Sequence, residues 1–173
     1  RCIRKKLPGC DWVYYVYDKA DRLIFTQDGE QRDKKPKAEW TFTIPDDFGR
    51  TVLTGTCTTV NDSAITSGRF DTWIIKASFS TTGTHMGYDV KVGTTTFNTR
   101  PIEDPRILSA NYYDNYSFRT LSGFANTALS YSTGGVDAGY LKRYGNDQST
   151  FEHKGQLTGT AIARLGDQDG YLY

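Results

Sequence analysis

The chain has 173 residues, a net charge of +1 and a mean hydropathy of −0.58, yet 14% of it is aromatic. One domain with its own core fits within that length. Near-neutral charge argues against the broad positive footprint of a nucleic-acid binder, and no apolar run approaches the ~20 residues of a membrane-spanning helix.

Frequent Thr and Gly, few Pro and no Leu- or Ala-rich stretches favour strands and turns over helices. The basic tail Arg1-Cys2-Ile3-Arg4-Lys5-Lys6 and the patch Lys34-Lys35-Pro36-Lys37 read as solvated loops. Trp12 to Tyr17 is aromatic and β-branched, so it predicts a strand flanked on both faces. Asp18 to Asp21 is a polar break, Leu23 to Thr26 resumes the strand, and Asp28-Gly29 supplies another turn. The unit is a hairpin, followed by a charged, exposed loop from Glu30 to Ala38. Trp40, Phe42 and Ile44 alternate along a second hairpin, which turns at Pro45 to Gly49 and returns over Arg50 to Gly55.

From Cys57 to Glu103 the pattern changes, and we expect an insertion lying on the sheet. Asn61 or Asp62 is a candidate cap for a short helix over 63–68, and Asp71 for another over 72–77. The β-branched residues of the latter argue equally for a strand. Tyr88 to Phe97 reads as strand, turn at Gly93, strand. A third unit opens at Ile107 and reaches Tyr113-Asp114. Tyr116, Phe118 and Phe124 fall in an irregular region, and 130–140 is a flexible loop. Gly155 to Leu165 predicts a strand, Asp167 to Gly170 a turn, and Tyr171 to Tyr173 a strand without a partner. The chain opens on Arg rather than Met and reads as a piece of something longer.

Set side by side, Tyr17-Asp18-x-x-Asp21-Arg22 matches Pro45-Asp46-x-x-Gly49-Arg50, and Arg1 sits where an earlier unit would place its arginine. On these residues the chain resembles the Rhs (rearrangement hotspot) or tyrosine–aspartate-repeat family, and more narrowly the Rhs-like proteins of Bacteroides-type bacteria. The family motif is Tyr-Asp-x-x-Gly-Arg-Leu, then a short strand and Thr-x-x-x-Gly. Tyr17, Asp18, Arg22 and Leu23 match it, with Asp21 in place of Gly. Asp46, Gly49 and Arg50 match it, with Pro45 in place of Tyr. Tyr113 and Asp114 match without the Gly-Arg pair.

The resemblance implies antiparallel hairpins wound into a β-ribbon, closing in a shell around a C-terminal toxin or effector. It implies a non-catalytic structural segment of a secreted or cell-surface bacterial protein. Its partners would be the rest of the shell and a toxin or surface ligand. The domains then read as hairpins over 1–56, the insertion over 57–104 and further repeat-like strands over 105–173. The alternative is a cell-surface module binding glycan or protein, motivated by flat aromatic rings in a polar chain.

Other chemistry has weaker support in the residues. His85 and His153 would have to be joined by folding to make a metal or acid–base site. Asp46-Asp47 and Asp104 are candidate hydrolytic carboxylates, but no separation is fixed. Cys10 and Cys57 lack an evident activating base. Cys2 and Cys10 are candidates to meet across a hairpin. Asp167-Gln168-Asp169-Gly170 lacks a full calcium ladder. Asn61 and Asn115 each open a glycan-acceptor triplet, idle in a bacterial source. No cofactor or metal is expected.

Overall fold

The computed structural model describes residues 1–59, 70–96, 102–121, 154–164 and 171–172, and the chain is mainly β. It divides into two compact units, Arg1–Ala110 and Asn111–Tyr173.

The first unit is built on an antiparallel sheet. Its strands are β1 (Arg4–Lys6), β2 (Trp12–Tyr17), β3 (Leu23–Gln27), β4 (Glu39–Pro45) and β5 (Thr51–Thr59). They neighbour one another in chain order. A second sheet holds β6 (Ile75–Phe79), β7 (Tyr88–Val92) and β8 (Thr95–Thr96). The sixth strand of the first sheet, β9 (Ile102–Tyr113), pairs with β5 and continues into the second unit.

Alternation sets which faces are buried. Trp40, Phe42 and Ile44 point one way from β4 and are fully buried, while Thr41 and Thr43 between them are only partly so. Each such large apolar side chain contributes about 1.5–3 kcal/mol when removed from water. Their cover is the second sheet, whose Ile75, Ala77, Val90 and Val92 are buried in turn. β6 lies against β4. A 3-10 turn over Phe70–Thr72 sets the Phe70 ring 5.1 Å from that of Phe25, edge to face, and 6.0 Å from that of Trp73. All six residues of β2 are half-buried, so both faces of this strand keep some exposure although it is flanked by β1 and β3.

Several local expectations are corrected. Asp28-Gly29 does not make a turn: Asp28 caps a short helix, α1 (Gly29–Asp33). Its carboxylate accepts from Gln31 N at 2.8 Å, and Gln31 Oε1 accepts from Asp28 N at 3.1 Å. Reciprocal satisfaction of two end-of-helix amides outcompetes the hairpin turn that Asp-Gly suggests. The stretch over 72–77 takes its strand alternative, because Ile75 and Ala77 alternate into the core and the strand finds β7. The basic run Arg4–Lys6 is an exposed edge strand rather than a loop. The proposed helix over 63–68, the loop over 130–140 and the turn over 167–170 lie outside the described residues.

In the second unit β10 (Leu157–Ala163) lies between β9 and β11 (Tyr171–Leu172). The strand at Tyr171 therefore has a partner, contrary to expectation: Ile162 faces Leu172 and Ala163 faces Tyr171. Tyr116 and Phe118 are not in irregular chain but at a 3-10 turn over Ser117–Thr120. There the Phe118 ring stacks on Tyr112 at 4.6 Å. Phe124 lies outside the described residues.

Candidate functional site: two aspartate–arginine turns

The motif residues converge on the turns that close the hairpins β2–β3 and β4–β5. In the first turn Asp18 N donates to Arg22 O at 3.0 Å and Asp21 N donates to Asp18 O at 3.0 Å. Asp18 Oδ1 accepts from the amides of Ala20 at 2.9 Å and Arg22 at 3.0 Å. Oδ2 accepts from Arg22 Nε at 3.0 Å and Nη2 at 2.6 Å. One carboxylate thus satisfies the turn's amides and holds its own arginine in a fork.

The second turn repeats this atom for atom. Asp46 N donates to Arg50 O at 2.9 Å, and Gly49 N to Asp46 O at 3.1 Å. Asp46 Oδ1 accepts from Phe48 N at 2.8 Å and Arg50 N at 2.9 Å. Its Oδ2 accepts from Arg50 Nε at 2.7 Å and lies 2.6 Å from Nη2. The strand register shifts at the same place in both, between Val16 and Tyr17 and between Ile44 and Pro45. Such a slip is where a strand tolerates proline, which accounts for Pro45 standing where the first hairpin has Tyr17. The position just before the arginine needs positive φ. Gly49 takes it at 81° and Asp21 at 58°, Asp being one of the few other residues that visit this region readily.

The turns differ in what lies above them. Asp18 is fully buried, and its Oδ2 also receives Ile75 N at 3.4 Å while Arg22 Nη2 donates to Ile75 O at 2.8 Å. Lys19 N donates to Trp73 O at 2.9 Å. The first turn therefore fastens the second sheet to the first. Among the described residues Asp46 is held by its own turn, with Arg50 over the Phe48 ring at 4.9 Å. Burial pushes the Asp18 carboxyl up. The bonds from the Arg22 side chain and the amides of Arg22 and Ile75, with the Arg22 charge, outweigh it and hold the carboxyl below its usual value.

A carboxylate whose folded pKa is depressed contributes stability that is present above its unfolded pKa of ~3.9 and is lost as pH falls through the folded value. Unfolding free energy should therefore decline below about pH 4, and Asp18→Asn should show a shallower decline in urea titrations at stepped pH. Equal slopes for the two proteins would contradict the assignment.

Tyr17 is half-buried beneath the Arg1 guanidinium, 5.7 Å from the ring centroid, and Arg1 also ion-pairs with Asp21. Leu23, the residue after the arginine, is 38% exposed. Tyr113 and Asp114, in the second unit, do not repeat the clamp. Asp114 has φ 72°, donates its amide to Gln156 O at 3.0 Å and accepts from Gly155 N. It ties the end of β9 to the start of β10.

The other candidates separate. Asp46 lies past the Pro45↔Thr51 end of the β4–β5 ladder, whereas Asp104 accepts from Thr58 at 3.3 Å near the other end. Seven strand residues put the two on the order of 20 Å apart, beyond the ~5–9.5 Å of paired hydrolytic carboxylates. Asp47 is paired with Lys76. His85 is half-buried, and burial lowers its pKa against the raising field of Asp89. His153 lies outside the described residues. Among the described residues no group of three or more His, Cys, Asp or Glu is placed to hold a metal ion.

Cys2 lies beyond the open end of the β1–β2 hairpin and Cys10 in its turn, where Cys10 N donates to Leu7 O. With β1 and its flanks between them they stand roughly 10 Å or more apart, too far for a disulfide. Burial, with a smaller contribution from Glu39, pushes the Cys57 thiol up to about 12. A thiol-reactive chromophore should therefore titrate Cys2 and Cys10 in the folded chain, both exposed, and Cys57 only after denaturant. Rapid labelling of Cys57 in buffer would refute its burial.

The chain matches no family model, no curated protein and no solved structure.

Proposed function

We propose that this chain is a non-catalytic wall segment of a β-ribbon shell of the Rhs, or tyrosine–aspartate-repeat, kind, acting through shape rather than chemistry. The reading rests on one observation: two consecutive hairpins, adjacent in one sheet, are closed by turns that agree bond for bond at Asp18/Arg22 and Asp46/Arg50. A ribbon grows by adding such hairpins in chain order, which is how β1 to β5 are laid down. The turn carboxylates support a structural role, because their oxygens are engaged by their own turns. The shell would enclose a toxin or effector or present a surface for contact. Electron microscopy of the full-length gene product tests the reading. A hollow particle walled by hairpins is the expected image, and a solid particle of separate globular domains would overturn it.

A further inference from the structure

The two clamps share their bonds but not their neighbours. The first one grips an extended segment by its backbone. Lys19 N donates to Trp73 O at 2.9 Å, Ile75 N donates to Asp18 Oδ2 at 3.4 Å, and Arg22 Nη2 donates to Ile75 O at 2.8 Å. Those bonds read one repeat of a strand: a carbonyl, then, two residues on, an amide and its carbonyl. So held, Ile75 is fully buried and Trp73 half-buried, while Ile74 between them is 50% exposed.

The second clamp presents the same groups. Asp47 follows its aspartate as Lys19 follows Asp18, and among the described residues nothing accepts from Asp47 N. Asp46 Oδ2 takes the Arg50 guanidinium as Asp18 Oδ2 takes that of Arg22, and among the described residues no main-chain amide stands against it where Ile75 N stands in the first. β6 comes near through Lys76, whose ammonium pairs with the Asp47 carboxylate and leaves the amide unspent. Phe48 occupies the place of Ala20 and is 74% exposed, more than any other large apolar side chain among the described residues. A single exposed ring means little. This one is pinned under Arg50 beside two groups that read backbone, so it walls a place for a side chain. The hairpin lies inside the sheet, with β3 on one side and β9 on the other, so its turn is no product of a sheet edge.

We propose that the second clamp is a docking site for an extended segment of a partner polypeptide, held as the first clamp holds Trp73 to Ile75. The segment carries an aromatic residue and, two places on, a β-branched aliphatic one. The carbonyl of the aromatic residue accepts from Asp47 N, the amide of the aliphatic residue donates to Asp46 Oδ2, and an apolar side chain packs on the Phe48 ring. A second copy of this chain does not suit, because its own Trp73 to Ile75 is engaged at its first clamp and would have to unfasten its second sheet to reach. The site stands whether or not the chain belongs to a shell.

The test is titration of the isotope-labelled chain with a peptide copying residues 71–76, Asp-Thr-Trp-Ile-Ile-Lys, followed by nuclear magnetic resonance and hydrogen exchange. Shifts at Asp47 and Phe48 and slowed exchange of the Asp47 amide are expected. Asp47→Pro removes that amide at the second place of the turn that Gly49 N closes on Asp46 O, where proline is favoured. It should bind about tenfold more weakly. Asp47→Asn keeps the amide and loses only the charge paired with Lys76, so it should bind as the native chain does. A peptide N-methylated at its second isoleucine leaves the protein unaltered, cannot donate to Asp46 Oδ2, and should also bind more weakly. Undiminished binding by Asp47→Pro, or of the methylated peptide, would overturn the site. So would shifts confined to Lys19 and Arg22, which would mean that the peptide only replaces its own copy, or no binding at all.

Discussion

Asp18→Ala is expected to destabilise the first unit by about 3 kcal/mol, and Asp46→Ala by about half as much. Both substitutions release the amides of a turn and an arginine. Only the first also orphans groups in a dry place, because Asp18 is fully buried and its Oδ2 faces Ile75 N. Arg22 would remain bonded to Ile75 O with its counter-charge gone. Asp46 is slightly open to solvent, so water can replace part of what its loss removes. Urea unfolding of the two variants at neutral pH measures the difference. Equal losses would mean that the bond between the first turn and the second sheet contributes nothing.

Gly55→Ala should be comparably severe for a different reason. A Cβ there would stand 2.2 Å from Arg106 O and 2.4 Å from Phe42 Cζ, so it meets backbone on one side and a fully buried ring on the other. Relief requires β5 and β9 to part where their register already shifts, between Thr54 and Gly55. We expect a loss of about 3 kcal/mol. Gly49→Ala is the control. Its φ of 81° strains alanine, but no atom lies within 4 Å of the added carbon, so the cost is about 1 kcal/mol. Gly49→Asp should cost less still, since Asp21 already occupies the equivalent position. Thermal melts of the three variants rank them. If Gly55→Ala proved as mild as Gly49→Ala, the close approach of the strands would be refuted.

Much of the first sheet was legible because its signals are local. Trp40, Phe42 and Ile44 announce a strand with one buried face, and Asp46 to Gly49 announces the turn that ends it. The likeness between Asp18–Arg22 and Asp46–Arg50 was also visible in the letters, though not that each carboxylate grips its arginine in the same fork. What failed was competition between local signals, as at Asp28, where the glutamine three residues on decided for a helix cap. What stayed hidden was long-range. No periodicity reports that β5 will pair with β9, that β10 will receive β11, or that Asp18 will reach Ile75. Those partners are chosen by which surfaces remain to be buried once the hairpins have formed.

Each clamp is closed by atoms lying within five consecutive residues. Its geometry therefore does not depend on how much chain separates it from the next. Between Gln27 and Glu39 the chain spends its length on a capped helical turn and a loop that neither clamp touches. A stretch of different length spliced there would leave both turns intact. Duplication or loss of a hairpin would alter the extent of such a sheet without requiring a new way to close it.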